Sequence, residues 1–277
     1  MADATDAAST PTDIYTHGHH ESVLRGHSWR TAANSAGYVL PHLSAGQTLL
    51  DVGCGPGTIT VDLAEIVAPG QVTAIEVGDD ILDKARQAAE ERGVQNITFE
   101  VGDVYELAHD DDSFDVTHAH QVLQHLSDPV AALREMKRVT KPGGIVAVRD
   151  ADYDGMFWAP ADPRLDRWMD TYRRVAKHNN AEPDGARHLV GWARAAGLAN
   201  VVPTGDAWVF ATPDDRAYWG GQWVDRATSS AFAQQAVDYG FATAADLAEF
   251  SQAFADWTEQ PDGWFAIVHG ELICRVD

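Results

Sequence analysis

Asp51-Val52-Gly53-Cys54-Gly55-Pro56-Gly57 is the densest run of chemically suggestive residues in the chain. Glycines at every second position let a turn fold tightly and let a ligand approach the main chain without meeting a Cβ. Residues 48–52 are a short apolar run, which predicts a buried strand, while Ile59, Leu63, Ile66 and Val67 recur at helical spacing. A glycine turn between strand and helix is either a plain connection or a nucleotide-type ligand site at the carboxyl ends of parallel strands. The dinucleotide fingerprint is Gly-x-Gly-x-x-Gly, whereas here Gly57 follows Gly55 by two residues. Asp51 argues in the same direction, because a carboxylate repels phosphate and suits a ligand with an ammonium group. The loop points to an adenosyl amino acid rather than to NAD.

Two further acids stand in register with that loop. Glu76 lies near the end of the next apolar run, 72–77, and comes 25 residues after Asp51. A carboxylate at a strand end can accept hydrogen bonds from both hydroxyls of a ribose. Gly102-Asp103-Val104 follows a third run, 97–101. Asp103 is suited either to accept from an adenine amino group, with the Val104 N–H donating to a ring nitrogen, or to cap a helix.

The elements that must position these residues alternate. Strands are expected at 48–52, 72–77, 97–101, 114–119 and 145–148, with helices at 58–67, 79–92 and 129–139 and a turn at 141–144. That order implies a parallel sheet covered on both faces. Beyond it, helices are expected at 162–177 and 185–196, strands at 199–210 and 264–276, and a mostly helical stretch at 214–257. Residues 15–43 read as one or two helices ending before Pro41, and residues 1–12 as a disordered lead. The expected plan is one domain over 13–277, made of a helical cover (13–44), a cofactor-binding core (45–150) and a sheet completion with a helical lid (151–277).

Composition narrows the partners. The chain has 277 residues, with 42 acidic against 20 basic side chains, a formal charge of −22. An acidic surface disfavours generic binding to nucleic acid or anionic lipid. Lysine is scarce, which fits either a GC-rich genome or a salt-adapted host. The two cysteines, Cys54 and Cys274, cannot build a disulfide framework or a cysteine-rich zinc site. No cationic leader with an apolar core opens the sequence, and no apolar run reaches the ~18–20 residues of a membrane span. These features predict a cytoplasmic protein, monomer or homodimer, that binds neither nucleic acid nor membrane.

The loop at 51–57, Glu76, Gly102-Asp103, residues 114–126 and the turn Arg138-Val139-Thr140-Lys141-Pro142-Gly143-Gly144 together resemble the class I S-adenosylmethionine-dependent methyltransferases, in particular their small-molecule, ubiquinone/menaquinone-biosynthesis-like branch. The likeness covers roughly residues 45–150. It implies an α/β, Rossmann-like seven-stranded sheet whose last strand is antiparallel. S-adenosyl-L-methionine would be the methyl donor and a small or medium-sized, uncharged or cationic organic molecule the acceptor. By the same resemblance the Gly53 and Gly55 main chain lies beside the methionine part, Asp51 reaches its ammonium group, and His120 borders it. Val77 and Gly78 depart from the family's usual acid-x-Ser/Asn pattern at Glu76. Alternatives are a non-methylating protein that binds the same cofactor or its product, and an NAD(P)-dependent oxidoreductase.

Histidines and aromatics fill in the rest. Tyr15 and His20 are expected to close the methionine side as part of an N-terminal cover, and Trp29 to line the acceptor pocket. His17-Gly18-His19-His20 has no partner acids or cysteines at ligand spacing, so no metal is expected. His125 is expected to order its loop. His120 titrates near neutrality and could take a proton, yet methyl transfer is an in-line displacement served chiefly by positioning, and no catalytic residue is assigned. Trp158, Trp168, Tyr172, Trp208, Tyr218, Trp219, Trp223 and Phe232 divide between core and acceptor pocket. Asp150 and Asp152 are either acceptor contacts or solvated surface.

Overall fold

The computed structural model describes Asp13, Thr16 and residues 29–277. Its strands are β1 (Leu49–Val52), β2 (Val72–Glu76), β3 (Ile97–Val101), β4 (Phe114–His120), β5 (Thr140–Ala159), β6 (Asn200–Phe210) and β7 (Trp264–Arg275). They form one seven-stranded sheet in the order β3-β2-β1-β4-β5-β7-β6. The first five run parallel, and β7 lies antiparallel between β5 and β6. This is the expected Rossmann-like plan with an antiparallel last strand. No described helix is long and apolar enough to cross a membrane.

The period of two along each strand separates the two faces. Leu50, Val52, Val146, Val148 and Leu272 meet α4 (Pro129–Val139) and α6 (Leu189–Ala195) on one side. Leu49, Val116, Ile145, Ala147 and Ile273 meet α1 (Ala32–Ser35) and α2 (Thr58–Val67) on the other. α3 (Asp79–Arg92) joins that second side through Leu82, which packs with Ala74 and Cys54. Local signals fix these helices. Asp128 caps α4 by accepting the Ala131 N–H at 2.9 Å, with Pro129 in the first turn. α3 opens on Asp79 and Asp80 and closes on a left-handed Gly93.

Past the carboxyl ends, β5, β6 and β7 extend into a second, aromatic core. α5 (Pro163–His178), α7 (Pro213–Ser229), α8 (Ala231–Asp238) and α9 (Ala244–Thr258) pack there. Trp168, Trp223, Phe254 and Phe265 meet edge to face or stacked within it. The stretch expected to be helical at 214–257 is thus three helices, which share a core with the sheet.

Two expectations on element boundaries change. The 141–144 turn does not end the approach to a strand starting at 145. It is an excursion inside β5, because Thr140 already pairs with Phe114 before Ile145 pairs with Val116. In the N-terminal stretch, the described residues hold only the four-residue α1 and a 3-10 turn, Leu40–His42. Pro41 sits inside that turn instead of following a helix, since a missing N–H costs nothing in a first turn.

Candidate functional site

The turn after β1 is built from left-handed glycines, with φ of 66° at Gly53, 55° at Gly55 and 80° at Gly57. A Cβ on Gly53 would stand 2.5 Å from Val122, and one on Gly57 would stand 2.8 Å from the Cβ of Ala85 in α3. The turn is therefore pressed between the exit of β4 and a neighbouring helix. Glu76 ties it to β2: one carboxylate oxygen accepts the Gly55 N–H at 3.1 Å, the other the Val77 N–H at 3.0 Å. Asp51 is buried, with Oδ1 2.8 Å from His118 Nδ1 and Oδ2 accepting the Thr60 hydroxyl at 2.6 Å. Asp103 accepts the Tyr105 N–H at 2.9 Å, a local turn instead of a helix cap.

A cavity of about 730 Å³ lies over this turn. That size is in the ~300–1,000 Å³ range of small-molecule sites. Asp51, Gly53 and Gly55 line it from the turn, Glu76 from β2, Asp103 and Val104 from the end of β3, and His120 from the end of β4. The fold brings these seven residues together. Tyr15 and His20 lie outside the described residues, as does the His17-Gly18-His19-His20 tract. Among the described residues, no three of His, Cys, Asp or Glu gather as a metal-binding group.

The far half of the same cavity is aromatic, and Trp208 is its hub. Trp29 meets Trp208 edge-on at 5.3 Å, His120 lies 5.8 Å away, and the guanidinium carbons of Arg30 and Arg149 stand 5.3 and 4.9 Å from its ring centre. Its indole N–H donates to the Asn34 carbonyl at 2.6 Å. Trp29, Tyr218, Trp219 and Trp223 also line the cavity, whereas Trp168, Tyr172 and Phe232 are buried in the aromatic core.

Several lining residues left no readable trace in the sequence. Gln121 has φ of 54°, a left-handed conformation that is uncommon without glycine. Its side-chain oxygen accepts from Arg30 at 2.8 Å, and its amide nitrogen lies 2.8 Å from His269 Nε2. With the amide oriented by Arg30, His269 Nε2 is an acceptor and the ring is neutral; burial also pushes its pKa well below the ordinary value. Asp13 joins the opposite rim, accepting the Ser127 N–H at 2.9 Å and the Tyr105 hydroxyl at 2.8 Å. An aromatic two residues after Asp103 was the only available hint of this contact.

Comparisons with known proteins agree with the geometry. The methyltransferase domain family is matched over residues 43–208. An uncharacterised methyltransferase of Schizosaccharomyces pombe is 33% identical over 278 residues, spanning 96% of this chain and 99% of that one. The ubiquinone/menaquinone biosynthesis C-methyltransferase of Bdellovibrio bacteriovorus is 41% identical over 104 residues, 38% of this chain and 44% of that protein. Among solved structures, the YcgJ protein of Bacillus subtilis shares the fold, with a TM-score of 0.59 and 20% identity over 94% of this chain and 100% of that one. The fold and its glycine turn are those of class I S-adenosylmethionine-dependent enzymes. The chain belongs to the methyltransferase domain family, and S-adenosylmethionine is its methyl donor.

Asp150 and Asp152 correct their expectation, being neither solvated nor among the cavity's lining residues. Asp152 pairs with Arg187 at 2.6 Å. Asp150 is 1% exposed; Oδ1 accepts the Gln124 N–H at 3.2 Å and Oδ2 has no partner. Burial pushes its carboxyl up to about 8, so the folded protein holds a proton there that the unfolded chain releases near ~4. Its contribution to stability is complete below that lower value and is lost as pH rises through the window up to about 8. Burial pushes His125 down to about 3 and His120 and His269 well below their usual range, so these cost stability as pH falls below ~6.5. Comparing Asp150→Asn with the unaltered protein cancels the histidines. The variant's relative stability should grow by up to ~1.4 kcal/mol per pH unit between pH ~5 and ~8 in urea unfolding. Parallel pH profiles for the two proteins would contradict a protonated Asp150.

Proposed function

We propose that this protein methylates a small or medium-sized organic molecule bound beside S-adenosylmethionine in the single cavity over the glycine turn. The observation that carries this reading is the cavity's division. Among the described residues, its lining carboxylates, Asp13, Asp51, Glu76 and Asp103, gather at the turn and adjacent strand ends, while its far half is aromatic. The acidic end fits the cofactor: a cradle of left-handed glycines, a carboxylate at the end of β2 for a diol, and a buried acid for an ammonium group. Glu76 has a second lone pair on each oxygen for the ribose hydroxyls. Asp103 and the Val104 N–H would meet the adenine, the Gly53 and Gly55 main chain the methionine part, and Asp51 its ammonium group.

When bound, the cofactor supplies an electrophilic methyl on a sulfonium. The protein's task is to hold an acceptor atom in line with it and to keep water away. Trp29, Trp208, Tyr218 and Trp219 would form the dry wall for the acceptor. The N-terminal stretch would close the cavity, because Asp13 binds one rim, the Thr16 hydroxyl accepts from Asn179 at 3.0 Å, and Arg30 binds Gln121.

Acceptor-dependent formation of S-adenosylhomocysteine, with a mass gain of one CH2 in a metabolite, tests the activity. Saturable cofactor binding without turnover on a broad metabolite panel would favour a non-methylating binder. Glu76→Ala should weaken cofactor binding by about 2–4 kcal/mol, far more than the loss of its Gly55 and Val77 contacts weakens folding in urea. Unaltered affinity by calorimetry would remove Glu76 from the ribose role. Deleting residues 1–30 should leave a folded chain with much weaker cofactor binding, and a folded truncation of normal affinity would sink the cover reading.

A further inference from the structure

His120, expected to border the methionine part of the cofactor, stands where the two halves of the cavity meet, with its hydrogen-bonding capacity unspent. The side chain is 7% exposed and lines the cavity, yet neither Nδ1 nor Nε2 has a partner. A neutral imidazole offers one donor and one acceptor, and burying both unmade is costly. The ring is therefore matched to something that enters the cavity.

Its surroundings say what kind of atom that is. Arg149 is the register neighbour of His120 on β5 and is fully buried. Its Nε donates to Glu271 at 3.2 Å and its Nη2 lies 3.9 Å from Asp206, while neither Nη makes a hydrogen bond. Arg30 faces His120 from the N-terminal stretch, Arg149 from β5, His269 from β7, and His118 from two residues earlier on β4. Burial first, and then these neighbours, hold the imidazole well below the usual histidine pKa, so it meets a ligand uncharged. No acid stands among the described residues that line the aromatic half. The indole N–H of Trp219 is a second buried, unpartnered donor there.

We propose that the acceptor is a planar, uncharged molecule with an acidic phenolic or enolic hydroxyl, that His120 binds this oxygen as the oxyanion through a ring N–H, and that the conjugated body lies against Trp208. The inference rests on the methyl-transfer reading of the same cavity. The hydroxyl proton leaves to solvent water before transfer, so His120 never becomes a second cation beside Arg149. The oxyanion then presents a lone pair, on oxygen or conjugated onto carbon, for the new bond to the methyl group, as the sulfonium–methyl bond breaks and its electron pair stays on sulfur in the departing S-adenosylhomocysteine. On carbon, the displaced C–H proton also leaves to water.

4-Nitrophenol, whose phenolate and phenol absorb at different wavelengths, tests this without any cofactor. Added to the full chain, the bound probe should ionise at lower pH than the free probe. His120→Ala should weaken phenolate binding about tenfold or more and return the ionisation midpoint toward the solution value. His120→Gln keeps an N–H donor and should restore part of both, with circular dichroism confirming that each variant is folded. Equal affinity and midpoint in wild type and the folded variants would overturn the proposal, and so would a wild type that does not favour the phenolate. Turnover of a different class of acceptor alongside that failure would remove the hydroxyl assignment alone. A bound, His120-dependent phenolate without S-adenosylhomocysteine formation from any acceptor would remove the methyl-transfer reading and leave the oxygen subsite standing.

Discussion

The turn that follows β1 is squeezed between the exit of β4 and helix α3, with no space for a Cβ at Gly53 or Gly57. That crowding draws Val122, Ala85 and Glu76 around one point, and it brings the carboxyl ends of β1, β2 and β4 to a common rim. A side chain at either glycine would push apart the walls of the cavity. The Asp51–His118 contact sits directly beneath, so the first and fourth strands are joined by a buried polar pair as well as by their ladder.

One face of the sheet changes character along its strands. On it, Leu49, Val116, Ala147 and Ile273 are apolar. Two residues further along the first three strands, and two residues earlier on antiparallel β7, the same face carries Asp51, His118, Arg149 and Glu271. His120, Arg149, Glu271 and Thr204 then form a rung across four strands in register. Buried charges of this kind are tolerable only when partnered, and the Arg149–Glu271 and Glu271–Thr204 contacts supply the partners. The rung ends in the cavity at His120, the member without one.

Trp208 couples this rung to the rest. Its indole is held by Asn34 of α1 and lies against residues from the N-terminal stretch, β4, β5 and β7. The aromatic half of the cavity is consequently continuous with the core under α5, α7 and α9, and its lining side chains have their backs packed in that core.

Much of the glycine-turn end of the cavity was legible in the sequence because its signals are local. Apolar runs, helical spacing, the glycine turn and the acids at strand ends depend on neighbours a few residues away, and the parallel alignment of β1 to β4 carries Asp51, Glu76, Asp103 and His120 to the carboxyl edge of the sheet. The aromatic end was not legible in that way. Inserting β7 between β5 and β6 sets Glu271 and His269 beside Arg149 and Ala151, pairings across more than a hundred residues that no local pattern encodes. Burial is equally non-local. Asp150 looked like an acid at a strand end, and only the packing of Gln124 and Gly185 around it makes it a core residue with a retained proton. Gln121, left-handed in its backbone, donates its N–H to the Arg149 carbonyl and is held at its side chain by Arg30 and His269, partners that lie far away in sequence. Side-chain chemistry is written residue by residue, but which groups share a low-dielectric space, and which of them lack a partner there, is decided only when distant strands are brought into register.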